Sequence, residues 1–158
     1  MDAQRGPRRI SAPASRAGRT VSAMNDEELL AVAIEQARIG LSEGGVPIGG
    51  ALVVGGEVLG AGHNRRVQLG SAIRHGETDA LEVAGRLPAS KYRRATMATT
   101  LSPCDMCTGA ILLYGIPRIV IGENRSFQAS EGYLGLPSHQ PSRALNRVIT
   151  SVSSGDEL

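Results

Sequence analysis

The sequence predicts an α/β fold in which helices cover a central sheet. Three observations predict it: helical periodicity over residues 26–41, two apolar runs joined by a glycine pair at 48–61, and two later apolar strands that alternate with helices. An order of helix, hairpin, helix, strand, helix and strand implies a sheet sandwiched by helices. The 158 residues are enough for one such domain, and 41% of them are hydrophobic.

The first predicted helix has clear start and stop signals. Asn25 is a typical N-cap residue, and Glu28 stands at the third position of the first turn, as in a capping box. Apolar residues then recur at helical spacing, at Leu30, Ala33, Ile34, Ala37 and Leu41. The pair Gly44-Gly45 ends this helix.

The later elements follow from apolar runs and the residues that interrupt them. Gly55-Gly56 is a two-residue hairpin signal between predicted strands at 48–54 and 57–61. A loop then leads to His75. The remaining predicted elements are a helix at 76–86, a strand at 96–101, a helix at 105–114 and a strand at 118–122.

The composition excludes several classes of protein. No apolar run approaches the roughly 18 to 20 residues of a membrane span, so no membrane partner is expected. With two cysteines, the chain has neither a disulfide scaffold nor a four-cysteine zinc site. Its four aromatic residues are too few for a base-stacking surface along a nucleic-acid strand.

The net charge of +2 comes from the N-terminal segment. Residues 1–23 hold five of the 17 basic residues and one of the 15 acidic residues, which leaves 12 basic and 14 acidic residues and a net charge of −2 for the remainder. A body with this charge has little electrostatic attraction for DNA or RNA, so no nucleic-acid partner is expected.

Three regions are predicted along the chain. Residues 1–23 form a disordered basic leader, which is either a transit peptide or an untranslated or tolerated extension, with Met24 as the natural start. Residues 24–135 form the folded domain, and the Ser-, Arg- and Pro-rich residues 136–158 form an atypical tail. The leader lacks the apolar stretch of a secretory signal peptide, and we expect a cytoplasmic protein.

Three residues form a candidate metal site. Cys104 and Cys107 are spaced so that two thiolates can bind one ion, and His75 lies 29 residues upstream. His75 and Cys104 both stand at the head of a predicted helix, so the two helix N-termini can meet at one point. Two thiolates and one imidazole leave the fourth tetrahedral position of Zn²⁺ open, as catalytic zinc sites do.

Glu77 lies two residues after His75, on the same predicted turn. At this spacing its carboxylate can reach past the metal without binding it, and it can take a proton from a water that zinc has activated. His-x-Glu followed by Pro-Cys-x-x-Cys is typical of zinc-dependent base deaminases. A redox cysteine pair is the alternative, although that motif belongs to a thioredoxin-like order of elements.

Three stretches resemble the small zinc-dependent cytosine deaminases of the cytidine and deoxycytidylate deaminase superfamily. They read GGVPIGGALVV, GHNRRVQLGSAIRHGETDALEVAGRL and TTLSPCDMCTGAILLYGIPRIVIGENRSF, within about residues 26–135. The resemblance implies a three-layer α/β/α sandwich with a central mixed sheet of five strands, and a homodimer. It also implies zinc on His75, Cys104 and Cys107, with Glu77 as the catalytic proton shuttle. The implied activity is hydrolysis of cytosine, a free pyrimidine base, to uracil and ammonia, a step of pyrimidine salvage.

The resemblance also assigns substrate contacts. Asn64 and the backbone N–H of Gly76 are expected to bind the pyrimidine carbonyl oxygen, an acceptor to which an amide can donate. The backbone carbonyl of Ser102 is expected to hold the departing ammonia, and Phe127 to form an aromatic wall over the base. Turn formation by Asn64 and core packing by Phe127 are the alternatives. The chain has HGE where many other deaminases have HAE.

Residues 136–158 depart from the family pattern. The family continues with a valine-rich strand and a C-terminal helix that carries an acidic residue and a pocket-capping aromatic residue, and neither is recognisable here. Asp156 and Glu157 lie in no recognisable motif and receive no role. Without that strand and helix, we expect an exposed sheet edge and an uncovered face of the core. The tail is either an altered end that lowers activity or a lid that is built differently.

Other functions remain open at this point. A deaminase of isocytosine, creatinine or another small amino-heterocycle would share the same site chemistry. A tRNA adenosine deaminase fits less well, because that group usually has HAE and a basic body. A degenerate zinc-binding relative is the alternative outside enzymes, and the intact Glu77 argues against it, since metal binding does not require that residue.

Overall fold

The computed structural model describes residues 23–124, 126–127 and 149–151. Its helices are α1 (Asp26–Ser42), α2 (Arg66–Leu69), α3 (Gly76–Ala84), α4 (Ala89–Tyr92) and α5 (Asp105–Tyr114). Its strands are β1 (Gly49–Val54), β2 (Glu57–His63), β3 (Ala95–Leu101), β4 (Arg118–Glu123) and β5 (Ile149–Ser151). The predicted leader, apart from residue 23, and most of the predicted tail lie outside the described residues, so these regional boundaries stay predictions.

The strands form one mixed sheet in the order β2-β1-β3-β4-β5. β1 pairs antiparallel with β2 and with β3, whereas β3, β4 and β5 run parallel to one another. Parallel neighbours need a crossover connection, and α5 provides it between β3 and β4. The mixed central sheet of the predicted α/β fold is thereby confirmed.

Apolar residues on the two faces of the sheet form two separate cores. Ala51 and Val53 of β1 pack with Leu30 and Ala33 of α1. Leu52, between them, belongs to the other core. The residues that complete that core come from α4, β3, α5, β4 and the loop before β4: Tyr92, Ala95, Met97, Ile111, Ile116, Ile119 and Ile121. Because side chains alternate along a strand, a sheet with both faces buried needs a helix layer on each side. The result is the predicted three-layer α/β/α sandwich.

The local signals in the sequence correspond to the observed ends of the first elements. The Asn25 side chain accepts from the Glu28 N–H at 2.9 Å, and the Glu28 carboxylate accepts from the Asn25 N–H at 2.8 Å, so the predicted capping box is present. Gly55 and Gly56 have φ of 58° and 84°. Positive φ at both turn residues is typical of a type I′ hairpin, which only glycine and a few polar residues enter easily.

The expectation of an exposed sheet edge is wrong for the middle of β4. Ile119, Val120 and Ile121 pair in parallel with Ile149, Thr150 and Ser151 of β5. β-branched residues favour extended backbone, and an unpaired strand edge offers them free N–H and C=O groups. A three-residue strand from the atypical tail therefore takes the place that was expected to be empty.

The sequence did not predict the two four-residue helices α2 and α4, because a single turn is too short for helical periodicity to show. None of the helices within the described ranges is long and apolar enough to cross a bilayer.

Candidate metal centre

The structure brings His75, Cys104 and Cys107 together, and we call these three residues the ligand triad. One ligand atom from each lies within 4.8 Å of the other two. His75 is the N-cap residue of α3 and Cys104 is the N-cap residue of α5, so two helix N-termini meet at this point as predicted. Cys107 lies one turn into α5 and is fully buried.

The spacing of the ligand triad fits a zinc ion. The His75 Nδ1 atom lies 3.4 Å from the Cys104 sulfur and 3.7 Å from the Cys107 sulfur. Tetrahedral zinc with ordinary Zn–S and Zn–N bond lengths holds its sulfur and nitrogen ligands about 3.6 Å apart. The donor set is thus preformed for zinc, with Nδ1 as the imidazole ligand atom and one coordination position left over.

Backbone and side-chain contacts fix the head of α3. The His75 N–H donates to the Thr78 hydroxyl at 2.9 Å, and that hydroxyl lies 2.5 Å from the Ile73 carbonyl oxygen. Asp79 donates its N–H to the His75 carbonyl at 2.8 Å, which begins the helix. Because His75 is held on both sides, its ring is presented from a rigid helix end instead of a free loop.

Glu77 is the carboxylate that reaches the ligand triad. It is 3% exposed, and its Oε1 atom accepts a hydrogen bond from the Thr99 hydroxyl at 2.9 Å. Burial raises the pKa of the Cys107 thiol above its ordinary value, and the neighbouring charges and hydrogen bonds of Glu77 and Cys104 raise it further. A divalent cation removes this penalty, because its positive charge stabilises a coordinating thiolate. A bound metal ion would therefore hold Cys107 as the thiolate.

Two glycines allow α3 to sit directly on the sheet. A Cβ atom on Gly50 of β1 would lie 2.7 Å from the Gly76 carbonyl oxygen, and one on Gly76 would lie 2.9 Å from the Gly49 carbonyl carbon. Real Cβ atoms do not approach backbone this closely. This contact gives a physical reason for HGE in place of HAE: the backbone of β1 occupies the space that an alanine methyl group would need.

Asn64 and Gly76 both lie close to the Ile48 carbonyl group. The Asn64 N–H donates to the Ile48 carbonyl at 2.8 Å, and the Cβ position of Gly76 is 3.1 Å from the same oxygen. The buried Asn64 side chain accepts from the Arg66 N–H at 3.2 Å, a bond typical of a turn. This bond uses the oxygen of the amide and leaves its NH₂ group to donate elsewhere.

The other two predicted substrate residues have different surroundings. Ser102 is buried at the end of β3, and its N–H donates to the Glu123 carbonyl at 2.9 Å. Phe127 is 45% exposed, so the alternative of ordinary core packing is wrong for this residue. Phe127 follows the end of β4, where the chain has already left the two cores. Its place over a base stays a prediction, as do the roles of Asn64, Gly76 and Ser102.

Sequence reasoning missed Thr99, Arg74 and Asp79. Thr99 is one of several β-branched residues in a predicted strand, and nothing in the sequence pairs it with Glu77. Asp79 is 2% exposed and accepts from the Arg74 guanidinium at 2.9 Å and from the His63 N–H at 3.3 Å. It therefore ties together the residues that precede His75 and Asn64. Such contacts between distant segments leave no periodic signal in the sequence.

An imidazole and two thiols arranged for zinc, with a buried carboxylate beside them, define a zinc-dependent hydrolytic site. The sequence model of the cytidine and deoxycytidylate deaminase zinc-binding region matches residues 23–123. The chain belongs to this family of zinc-binding deaminases.

Three proteins that are similar to this chain are named as deaminases of different substrates. Cytosine deaminase of Candida albicans is 55% identical over 111 residues, which cover 70% of this chain and 74% of that protein. A tRNA-specific adenosine deaminase of Bacillus subtilis is 36% identical over 98 residues, 61% of each chain. The solved structure of guanine deaminase from Bacillus subtilis has a TM-score of 0.58 at 26% identity, over 70% of this chain and 71% of that one.

Proposed function

We propose that this chain hydrolyses cytosine to uracil and ammonia. The observation that carries the proposal is the buried Glu77 carboxylate, which lies beside Cys107 of a ligand triad that is spaced for zinc. A metal site with a structural role does not need this carboxylate, whereas hydrolysis needs a proton carrier beside the nucleophile. Cytosine is favoured among the possible bases by the 55% identity to a cytosine deaminase.

The first part of the reaction binds and orients the base. Asn64 donates its amide NH₂ group to the O2 atom of cytosine, and Gly76 donates its backbone N–H to the same atom. As the first residue of α3, Gly76 has an N–H that the helix itself leaves without a partner. Together these donors turn C4 of the ring toward the ligand triad. Phe127 covers the ring as an aromatic wall at the mouth of the site.

The second part of the reaction moves protons through Glu77. His75, Cys104 and Cys107 hold the zinc, which when bound supplies the Lewis acidity that makes water a nucleophile at neutral pH. Glu77 takes a proton from the attacking water and delivers it to N3 as the new C4–O bond forms. Glu77 then passes the second proton of that water to the amino group, and the C4–N bond breaks. Ammonia leaves past the Ser102 carbonyl, and one water has been consumed for each uracil formed.

Three further features belong to the same proposal. The enzyme works as a homodimer, in the cytoplasm, in pyrimidine salvage. Several large apolar side chains on the outer surface support a partner chain, among them Ile73, Val83, Met106 and Leu113. Size-exclusion chromatography with light scattering tests the dimer, and a monomer at micromolar concentration would contradict it.

A second candidate is the deamination of another small amino-heterocycle such as isocytosine or creatinine. It is favoured by one observation, namely that the tail residues 136–158 do not match the family's pocket-closing helix. The ligand triad and Glu77 serve either substrate, so the groups that contact the ring decide between them.

The decisive experiment measures zinc content and ammonia release on the same purified sample. We expect one zinc per chain, release of ammonia from cytosine, and loss of this activity on treatment with a chelator that zinc addition reverses. The panel includes isocytosine, creatinine, adenine and guanine as competing substrates. A zinc-loaded protein that releases no ammonia from any of them would show that the chain is a degenerate relative.

A further inference from the structure

We propose that Thr99 is a positioning residue for catalysis, which holds the Glu77 carboxylate in the orientation needed to move protons. This inference rests on the proposed function, since it concerns the residue that carries out the proton transfer. The motif of His-x-Glu followed by Pro-Cys-x-x-Cys does not include Thr99, which is the first residue of the third stretch that resembles the cytosine deaminases.

Thr99 contacts Glu77 because β3 lies next to β1, and the head of α3 packs on β1. Thr99 of β3 pairs with Gly50 of β1, so both residues face the same side of the sheet. A Cβ atom on Gly50 would lie 3.0 Å from the Glu77 nitrogen, which shows how closely the head of α3 approaches this spot. Because Gly50 has no side chain, the head of α3 packs closely on β1, and the Glu77 carboxylate can accept a hydrogen bond from the Thr99 hydroxyl of β3.

The contact is buried and specific. Thr99 is fully buried and Glu77 nearly so, and the hydroxyl oxygen lies 2.9 Å from Glu77 Oε1. The same hydroxyl lies 3.0 Å from the Leu101 carbonyl oxygen, so its single proton has two possible acceptors. A β-branched side chain has few χ1 rotamers, which makes Thr99 a stiff support. The bond engages Oε1 and fixes one side of the carboxylate that exchanges protons with water and substrate in the proposed reaction.

Without this bond the carboxylate group loses its anchor on the sheet and keeps only its contact with Cys107. The terminal torsion of a glutamate side chain is broad, so a carboxylate without a partner turns easily. A small misplacement of a reacting group costs up to about 100-fold in rate. Loss of the Thr99 hydroxyl is therefore expected to lower kcat while leaving KM nearly unchanged, because this hydroxyl bonds Glu77 and the Leu101 carbonyl oxygen, neither of which is proposed to bind the base.

The test compares Thr99→Val, Thr99→Ser and Thr100→Val with the wild-type enzyme. Valine keeps the shape of threonine without the hydroxyl, and serine keeps the hydroxyl. Thr100→Val is the matched control, because the Thr100 hydroxyl accepts from the Gly49 N–H at 3.1 Å and does not serve Glu77. We expect T99V to lose about 10- to 100-fold in kcat for cytosine. T99S and T100V should retain most of kcat, and all four proteins should bind one zinc.

A second readout does not depend on activity. Crystal structures of zinc-loaded wild type and T99V should show the Glu77 carboxylate in one orientation in the first and rotated or in several conformers in the second. If T99V does not fold, T99A serves in its place. The inference fails if T99V keeps kcat within about twofold of wild type, if T99S is as impaired as T99V, or if Glu77 is unmoved in the variant structure. If the wild type itself does not deaminate cytosine, the proposed function fails, and the crystal structures alone decide the role of Thr99.

Discussion

Gly50 and Gly76 pack backbone against backbone, with only 2.7 Å between the Gly76 carbonyl oxygen and the place where a Gly50 side chain would begin. This contact seats the head of α3 on β1, and with it both His75 and Glu77. The catalytic carboxylate of the proposal is therefore placed by two residues that have no side chain. A substitution at either glycine tests whether the site depends on this close approach.

Gly50→Ala is expected to destabilise the protein and to displace Glu77. Overpacking a tight contact typically costs about 1–3 kcal/mol, because backbone has to move. Urea unfolding followed by circular dichroism measures the loss, and zinc content reports whether His75 still reaches the metal. Gly109→Ala is the matched control, since Gly109 is exposed within α5 and has open space around it. It should stabilise the protein by up to about 1 kcal/mol, the usual gain of alanine over glycine in a helix. Equal stability of G50A and the wild type would contradict the tight contact.

Glu77→Gln is expected to keep zinc and to abolish turnover. Glutamine has nearly the shape of glutamate and can still accept from Thr99, but it cannot carry a proton. General acid–base catalysis contributes about 100- to 10,000-fold, and kcat should fall by at least this range. Ammonia release and metal content are measured on the same sample. The control is Glu82→Gln, on the exposed side of the same helix, which should leave kcat unchanged. An E77Q protein with most of its activity would overturn the assigned role.

Asp79→Asn is expected to lower the free energy of unfolding, although it replaces only one oxygen atom with an NH₂ group. The two Asp79 oxygens each accept from a different donor, one on Arg74 and one on the His63 backbone. Asparagine offers a single acceptor oxygen, so one donor is left facing an NH₂ group inside the protein. A buried donor without a partner costs about 1–3 kcal/mol. Urea unfolding measures this loss, and Glu35→Gln, in an exposed pair with Arg38, should change stability by less than about 0.5 kcal/mol. Similar small effects for both variants would show that Asp79 is not a structural tie.

Glu43→Gln is expected to make the stability of the protein less sensitive to acid pH. The hydrogen bond from His63, 2.9 Å long, is the main cause that lowers the pKa of Glu43 from its ordinary value of 4.5. Because this pKa is lowered in the folded state, the unfolded chain binds the proton first as the pH falls. The stabilisation by Glu43 is therefore complete above 4.5 and is lost as the pH falls through the folded-state value. Urea midpoints between about pH 6 and pH 3 should fall more steeply for the wild type than for E43Q. Parallel curves would contradict the prediction.

Local sequence signals located most of the elements but not all of them. The N-cap at Asn25 and the turn at Gly55-Gly56 act on neighbouring residues, so their chemistry can be read directly from the chain. Strand β5 could not be predicted in this way, because a three-residue strand has no period of its own and forms only where β4 offers an edge. Core packing of Phe127 was an open alternative for a similar reason, since an aromatic residue shows its burial only after the cores are assembled.

By itself, the sequence determined the identity and spacing of the chemistry: an imidazole, two thiols one helical turn apart, and a carboxylate two residues from the histidine. These are local facts, because spacing within a helix fixes which residues share a turn. Only the tertiary structure decided that Gly50 makes room for α3, that Thr99 meets Glu77, and that Asp79 joins the segments before Asn64 and His75. These contacts join residues far apart in the chain, and their geometry comes from sheet pairing and close packing, which no single segment encodes.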